Sequence, residues 1–193
     1  SFVAAPFVDA GLSVAAFNYR FCPQASLAEV VADCRQALAW LLRHGAAHHM
    51  PLDRIALTGH SAGGHLVAML LATVWSSLGI DARLIVGGAA LSGVYNLSPL
   101  LQVSMNADLR LDPAQARMLS PVMLQPAVPA PLHLAVGADD SEAFRQQSRD
   151  LQLAWPGCVS ACETVDGCNH FTIVDYFVQP GSNAFQSVAA RFD

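Results

Sequence analysis

Thr58-Gly59-His60-Ser61-Ala62-Gly63-Gly64-His65-Leu66 is the stretch from which the rest of the chain is read. It sets Gly-x-Ser-x-Gly between two apolar runs of different character. Arg54-Ile55-Ala56-Leu57-Thr58 has the length and β-branched content of a short buried strand. Leu66-Val67-Ala68-Met69-Leu70-Leu71 reads as the buried part of a helix. A serine on so sharp a strand-to-helix turn is forced into a strained backbone conformation with its hydroxyl exposed. The small neighbours follow from the same geometry, because turn, helix and next strand approach closely. The pattern therefore predicts a nucleophilic serine at position 61 rather than a plain glycine-rich turn.

Outward from this turn, apolar β-like and α-like segments alternate. A strand is expected over Ser13 to Asn18. Ser26 then caps a long helix running to about His44, whose apolar face is Val30, Cys34, Leu38 and Leu41 with Trp40 beside them. After the serine turn come a strand over Leu84 to Leu91, a strand over Leu132 to Val136, a helix over Ser141 to Trp155 and a last strand over Val159 to Val165. A terminal helix follows His170 or begins near Asn183. Residues 96–124 are richer in proline and polar residues, with short helices such as Pro113 to Leu119, and are expected to form a cap or active-site wall. Regular alternation implies one α/β domain over 1–193, a mostly parallel sheet with helices on both faces. Ligands in such sheets bind beyond the carboxyl ends of the strands.

Composition narrows the function classes. The 193 residues are 53% hydrophobic, enough for one sizeable core. Net charge is −5, and all ten basic residues are arginines, scattered rather than striped, so nucleic-acid binding is not expected. No apolar run has the length of a membrane span; Leu66 to Val74 is a core helix. Nothing before Phe17 resembles a charged leader with a cleavage site. The five cysteines, Cys22, Cys34, Cys158, Cys162 and Cys168, are odd in number, which favours reduced thiols and a cytoplasmic setting. Cys162, Cys168 and His170 match no closed zinc spacing, and His44 and His48 are read as charges favoured at a helix C-terminus, so no metal is expected.

A nucleophilic serine needs a base to take its proton and an acid to orient that base. The order serine, acid, histidine is that of the α/β-hydrolases. The loop after the strand Leu132 to Val136 is Gly137-Ala138-Asp139-Asp140-Ser141, and the loop after the last strand is Asp166-Gly167-Cys168-Asn169-His170-Phe171. Ser61, one of the two aspartates and His170 each follow their own strand. Asp140 is preferred as the acid on its spacing from Gly137, with Asp139 the alternative; the other would cap the helix starting near Ser141. His60 and His65 come too early for the base, and His133 lies inside a strand.

Four stretches resemble the kynurenine formamidase (arylformamidase) branch of the α/β-hydrolases, close to hormone-sensitive-lipase-like esterases. They are Asn18-Tyr19-Arg20 with Pro23, the serine turn, Leu91-Ser92-Gly93-Val94-Tyr95-Asn96-Leu97, and the acid and base loops. Asp140-Ser141-Glu142-Ala143-Phe144-Arg145-Gln146-Gln147-Ser148 is similar to the family's Asp-Ser-Pro-Glu-Phe-x-x-Gln-Ser, and Asn169-His170-Phe171-Thr172-Ile173-Val174 to its Asp-His-Phe-x-Ile-Val. The resemblance implies an α/β-hydrolase fold with Ser61 as nucleophile, Asp140 as acid and His170 as base. The expected reaction is hydrolysis of an aryl formamide, N-formyl-kynurenine, or of a short-chain carboxyl ester, without a cofactor. An inactive or purely binding hydrolase-like fragment is the remaining alternative. Ala62 N–H is expected in the oxyanion hole, and Tyr95 to stack on an aromatic leaving group. A homodimer is compatible with this reading, with a small-molecule substrate as the partner. The family's upstream His-Gly-Gly loop does not occur in the N-terminal part of this sequence. The chain is accordingly expected to lack the N-terminal strands, leaving a gap between the Ser13 strand and the serine-bearing strand.

Overall fold

The computed structural model describes residues 2–192. Four strands, β1 (Ile55–His60), β2 (Ile85–Leu91), β3 (Leu132–Gly137) and β4 (Val159–Val165), form one parallel sheet in the order β1-β2-β3-β4. The helices are α1 (Ala5–Asp9), α2 (Leu27–His44), α3 (Ala62–Leu71), α4 (Asn106–Leu109), α5 (Pro113–Met118), α6 (Glu142–Ala154), α7 (Ile173–Phe177) and α8 (Asn183–Ala189). Where one terminal helix was expected, after His170 or from near Asn183, two short ones occur, α7 and α8. The expected fold class, α/β with helices on both faces of a parallel sheet, is the one observed.

Local sequence explains the boundaries. Ser26 Oγ accepts from the amide of Glu29 while the Glu29 carboxylate accepts from the amide of Ser26, a reciprocal cap that starts α2. Asp112 and Gln115 repeat the device at α5, with Pro113 in the first turn. Side chains alternate across the sheet. Ala90 and Leu134 face a cluster built by α2, α3 and α6, whereas Ala89, Leu91 and Ala135 face one built by α1, α7 and α8. The second cluster is aromatic, with Phe7 stacked on Phe185 at 4.4 Å. Residues 96–124 carry a small cluster of their own around Leu97, Leu111 and Ala116.

Two expectations change. Ser13 to Asn18 is not a strand: the segment has no ladder partner among the described residues, and its own residues are exposed. A strand is defined by its neighbour, and the sheet ends at β1. Between β1 and this segment lies a largely apolar slot of about 560 Å³, lined by Ala15, Phe17, Leu57, Leu66, Val67 and Leu70 among others. Trp40 does not join the apolar face of α2; it is 52% exposed and packs beside His44 and His48, at 5.4 and 5.6 Å between ring centres. Val30, Cys34 and Leu38 of that helix are buried.

Candidate active site

The carboxyl ends of β1, β3 and β4 meet where the parallel sheet predicts. At the end of β1 the chain turns straight into α3, and Ser61 takes φ +54°, ψ −116°, a conformation sparsely populated by residues with a side chain. Its amide donates to Leu91 O of β2 at 2.8 Å, which locks the turn to the sheet. The turn is tight enough that a Cβ on Gly59 would lie 2.2 Å from Gly63 O, and one on Gly64 2.9 Å from Gly93 Cα. Ala62 opens α3 and is exposed, so its N–H is among the first-turn amides that no helical carbonyl accepts.

Three sequence-predicted residues come together above this turn. Ser61 Oγ lies 3.1 Å from His170 Nε2, and His170 Nδ1 lies 3.1 Å from Asp140 Oδ2. A carboxylate only accepts, so the proton sits on Nδ1 and Nε2 is left to accept from the Ser61 hydroxyl. Asp140 is the deepest of the three, with its side chain 2% exposed, against 21% for His170. Asp140 Oδ1 also accepts from the amide of Ser141 at 2.9 Å. Asp139 is exposed; its amide donates to Cys168 O at 2.9 Å, tying the acid loop to the base loop.

Several supporting groups were not visible from the sequence. The guanidinium of Arg145 donates to Ala138 O and Asp140 O and clamps the acid loop onto α6. The Phe144 ring lies 4.2 Å from that of His170. Gln147 Oε1 accepts from the amides of Tyr95 and Asn96 at 2.7 and 2.6 Å, while its Nε2 donates to Asn96 O at 2.9 Å. The similarity of the acid-loop stretch pointed at Phe144 and Gln147 without giving them roles. His60 Nε2 donates to His170 O at 2.6 Å. Its burial lowers its affinity for a proton, an effect the bond to His170 O only partly offsets. His65 is buried in α3 and donates to Leu119 O at 2.8 Å.

Tyr95 departs from its expected place. It is fully buried, its hydroxyl against Gly93, and burial pushes the phenol far above its ordinary range. It offers no face to a leaving group. The aromatic exposed beside the base is Phe171, 77% accessible, with its ring edge-on to His170 at 5.5 Å. Cys162, Cys168 and His170 do not gather: among the described residues no group of three histidine, cysteine or acidic side chains is placed to hold a metal ion.

A family model described as BD-FAE matches residues 1–84. Kynurenine formamidase of Salmo salar is 31% identical over 185 residues, an alignment covering 92% of this chain and 61% of that protein. A crystal structure from Silicibacter sp. TM1040 superposes with a TM-score of 0.83 at 28% identity, over 97% of this chain and 68% of that one. The chain has the α/β-hydrolase fold and is similar in sequence to kynurenine formamidase. An esterase of the bacterial hormone-sensitive lipase family gives a TM-score of 0.70 at 26% identity, over 99% of this chain and 66% of that one. The chain spans about three-fifths of the length of the curated relatives it matches. Among its described residues no helix is long and apolar enough to cross a membrane.

Proposed function

We propose that the chain is the catalytic part of a serine hydrolase that cleaves an aryl formamide, N-formyl-kynurenine, to kynurenine and formate. The observation that carries this reading is the unbroken relay from Ser61 Oγ through His170 to Asp140. His170 takes the Ser61 proton as Oγ attacks the formyl carbon, and Asp140 holds the tautomer and stabilises the imidazolium. The Ala62 amide faces the developing oxyanion. Collapse of the tetrahedral adduct breaks the C–N bond, His170 protonates the departing aniline nitrogen, and a formyl ester remains on Ser61. Water, deprotonated by the same imidazole, then releases formate. A formyl group needs little room, and Phe171 gives an aromatic leaving group an apolar neighbour beside the base.

The same groups would hydrolyse a short-chain ester, and the similarity to the hormone-sensitive-lipase-family esterase supports that second reading. Turnover of N-formyl-kynurenine against p-nitrophenyl acetate separates the two, since a far higher kcat/KM for the ester rejects the formamidase. As a donor to the oxyanion, the Ala62 amide is worth roughly 3–4 kcal/mol in the transition state. An inactive fragment is the outcome if a fluorophosphonate fails to label Ser61.

A further inference from the structure

The two halves of the site stand on opposite margins of the sheet. Ser61 follows β1 and His170 follows β4, with β2 and β3 between them. The loop carrying the base must therefore reach across the carboxyl ends of two strands and stop within hydrogen-bond range of Oγ. On its own side that loop is well tied. Cys168 O accepts from Asp139 N, and Asn169 Oδ1 accepts from the amides of Phe171 and Thr172. On the far side, two hydrogen bonds join it to β1 and the serine turn among the described residues. One is the reacting contact between Ser61 and His170 itself. The other runs from the His60 ring to the main chain of His170.

We propose that His60 is a positioning residue for the base: its Nε2–H grips the carbonyl of His170 and so sets how far the imidazole reaches over Ser61. This rests on the serine-hydrolase reading above. The carbonyl can only accept, so the His60 proton is fixed on Nε2. The bond is 2.6 Å, and the two rings lie 4.7 Å apart, close enough to limit swing of the base as well as its advance. The ring also has to stay neutral, because the imidazole beside it becomes a cation in the transition state. Burial keeps it so, against the opposing pull of the nearby Asp140 carboxylate. His60 does not touch the reacting atoms in this arrangement, and its effect passes entirely through His170.

The test compares His60→Gln, whose side-chain amide can still donate, with His60→Leu, which keeps bulk and cannot. The readout is the rate of Ser61 labelling by a fluorophosphonate across pH, together with kcat and KM on p-nitrophenyl acetate. His60→Leu is expected to lose roughly 10- to 100-fold in labelling rate and kcat, with KM little changed, as a small misplacement of a catalytic group does. His60→Gln is expected to recover most of that loss, and the pH midpoint of labelling to move in the leucine variant alone. Equal rates in all three proteins, or equal losses in both variants, would overturn the proposal. Histidine ¹⁵N NMR reads the positioning without any turnover. A slowly exchanging His60 Nε2–H in the unmodified chain, and His170 ring signals that shift in His60→Leu but not in His60→Gln, are expected. Absence of that protected proton sinks the proposal whether or not the leucine variant folds. Failure of the unmodified protein to label, with the NMR signature intact, counts against the hydrolase reading instead.

Discussion

Ser61 holds a backbone conformation that costs of order 1–3 kcal/mol and is maintained by its surroundings, among them the bond from its amide to Leu91 O. Substitution to alanine keeps that geometry and removes only the nucleophile. Ser61→Ala is expected to abolish fluorophosphonate labelling while leaving the circular dichroism spectrum unchanged. The neighbouring aspartates should differ sharply. Asp140→Asn leaves the imidazole without the acceptor that fixes its tautomer, so a fall of roughly 10⁴-fold in kcat is expected. Asp139 is exposed and contributes its amide rather than its carboxylate, so Asp139→Asn should stay within about threefold on the same ester assay, as surface substitutions do. The serine could be read from sequence because its strain demands small neighbours at fixed offsets, and the histidine because it follows the last strand. The choice between two adjacent aspartates is a matter of which side chain the turn after Gly137 points inward, and only the folded turn decides it. Tyr95 was misread for a related reason: an aromatic in a loop near the site looks like a contact surface until its burial is known.

At the scale of elements, the turn between β1 and α3 distinguishes glycines that the motif treats alike. Gly59→Ala would drive a methyl into Gly63 O and is expected to destabilise the protein by at least about 1–3 kcal/mol, read as a lowered Tm. A Cβ on Gly63 meets nothing within 4 Å, because that position borders the slot beside β1. Gly63→Ala should leave Tm unchanged or raise it slightly, since alanine is the better helix former. Helix α6 is as informative. Its first turns carry Phe144, Arg145 and Gln147, which together reach the base, the acid loop and the segment after β2. The boundaries of α6, like those of β2 to β4, were legible from apolar periodicity and flanking turn residues. Its task as a bracket was not, because arginine and glutamine on a helix ordinarily face solvent and their partners lie far away in sequence. The helix α2 was read correctly through its cap and length, but Trp40 was assigned inward on hydrophobicity alone. Two nearby histidine rings give it company at the surface instead.

For the molecule as a whole, acid should loosen the fold through histidines held neutral. Burial lowers the proton affinity of His65 and of His60 below the ordinary value of 6.5, in each case partly offset by a hydrogen bond to a main-chain carbonyl. The unfolded chain then binds more protons than the folded one as pH drops through about 6.5, so stability falls in that direction. Tm is expected to be lower at pH 5 than at pH 7.5, and His65→Gln should flatten that slope. The parallel α/β layout was legible throughout because each strand is an apolar run between helical patterns. The Ser13 to Asn18 segment shows the boundary of that logic: its sequence suits a strand, yet pairing is a property of two segments, and among the described residues no second one pairs with it. The same vacancy bears on the nucleophile's own support. Backbone amides of β1 that point away from β2 have no ladder to shield them, so deuterium should enter there far sooner than in β2 or β3. Ser61 is mounted on an outer plank of the sheet, and small doses of urea should blunt its reactivity before they disturb the helices.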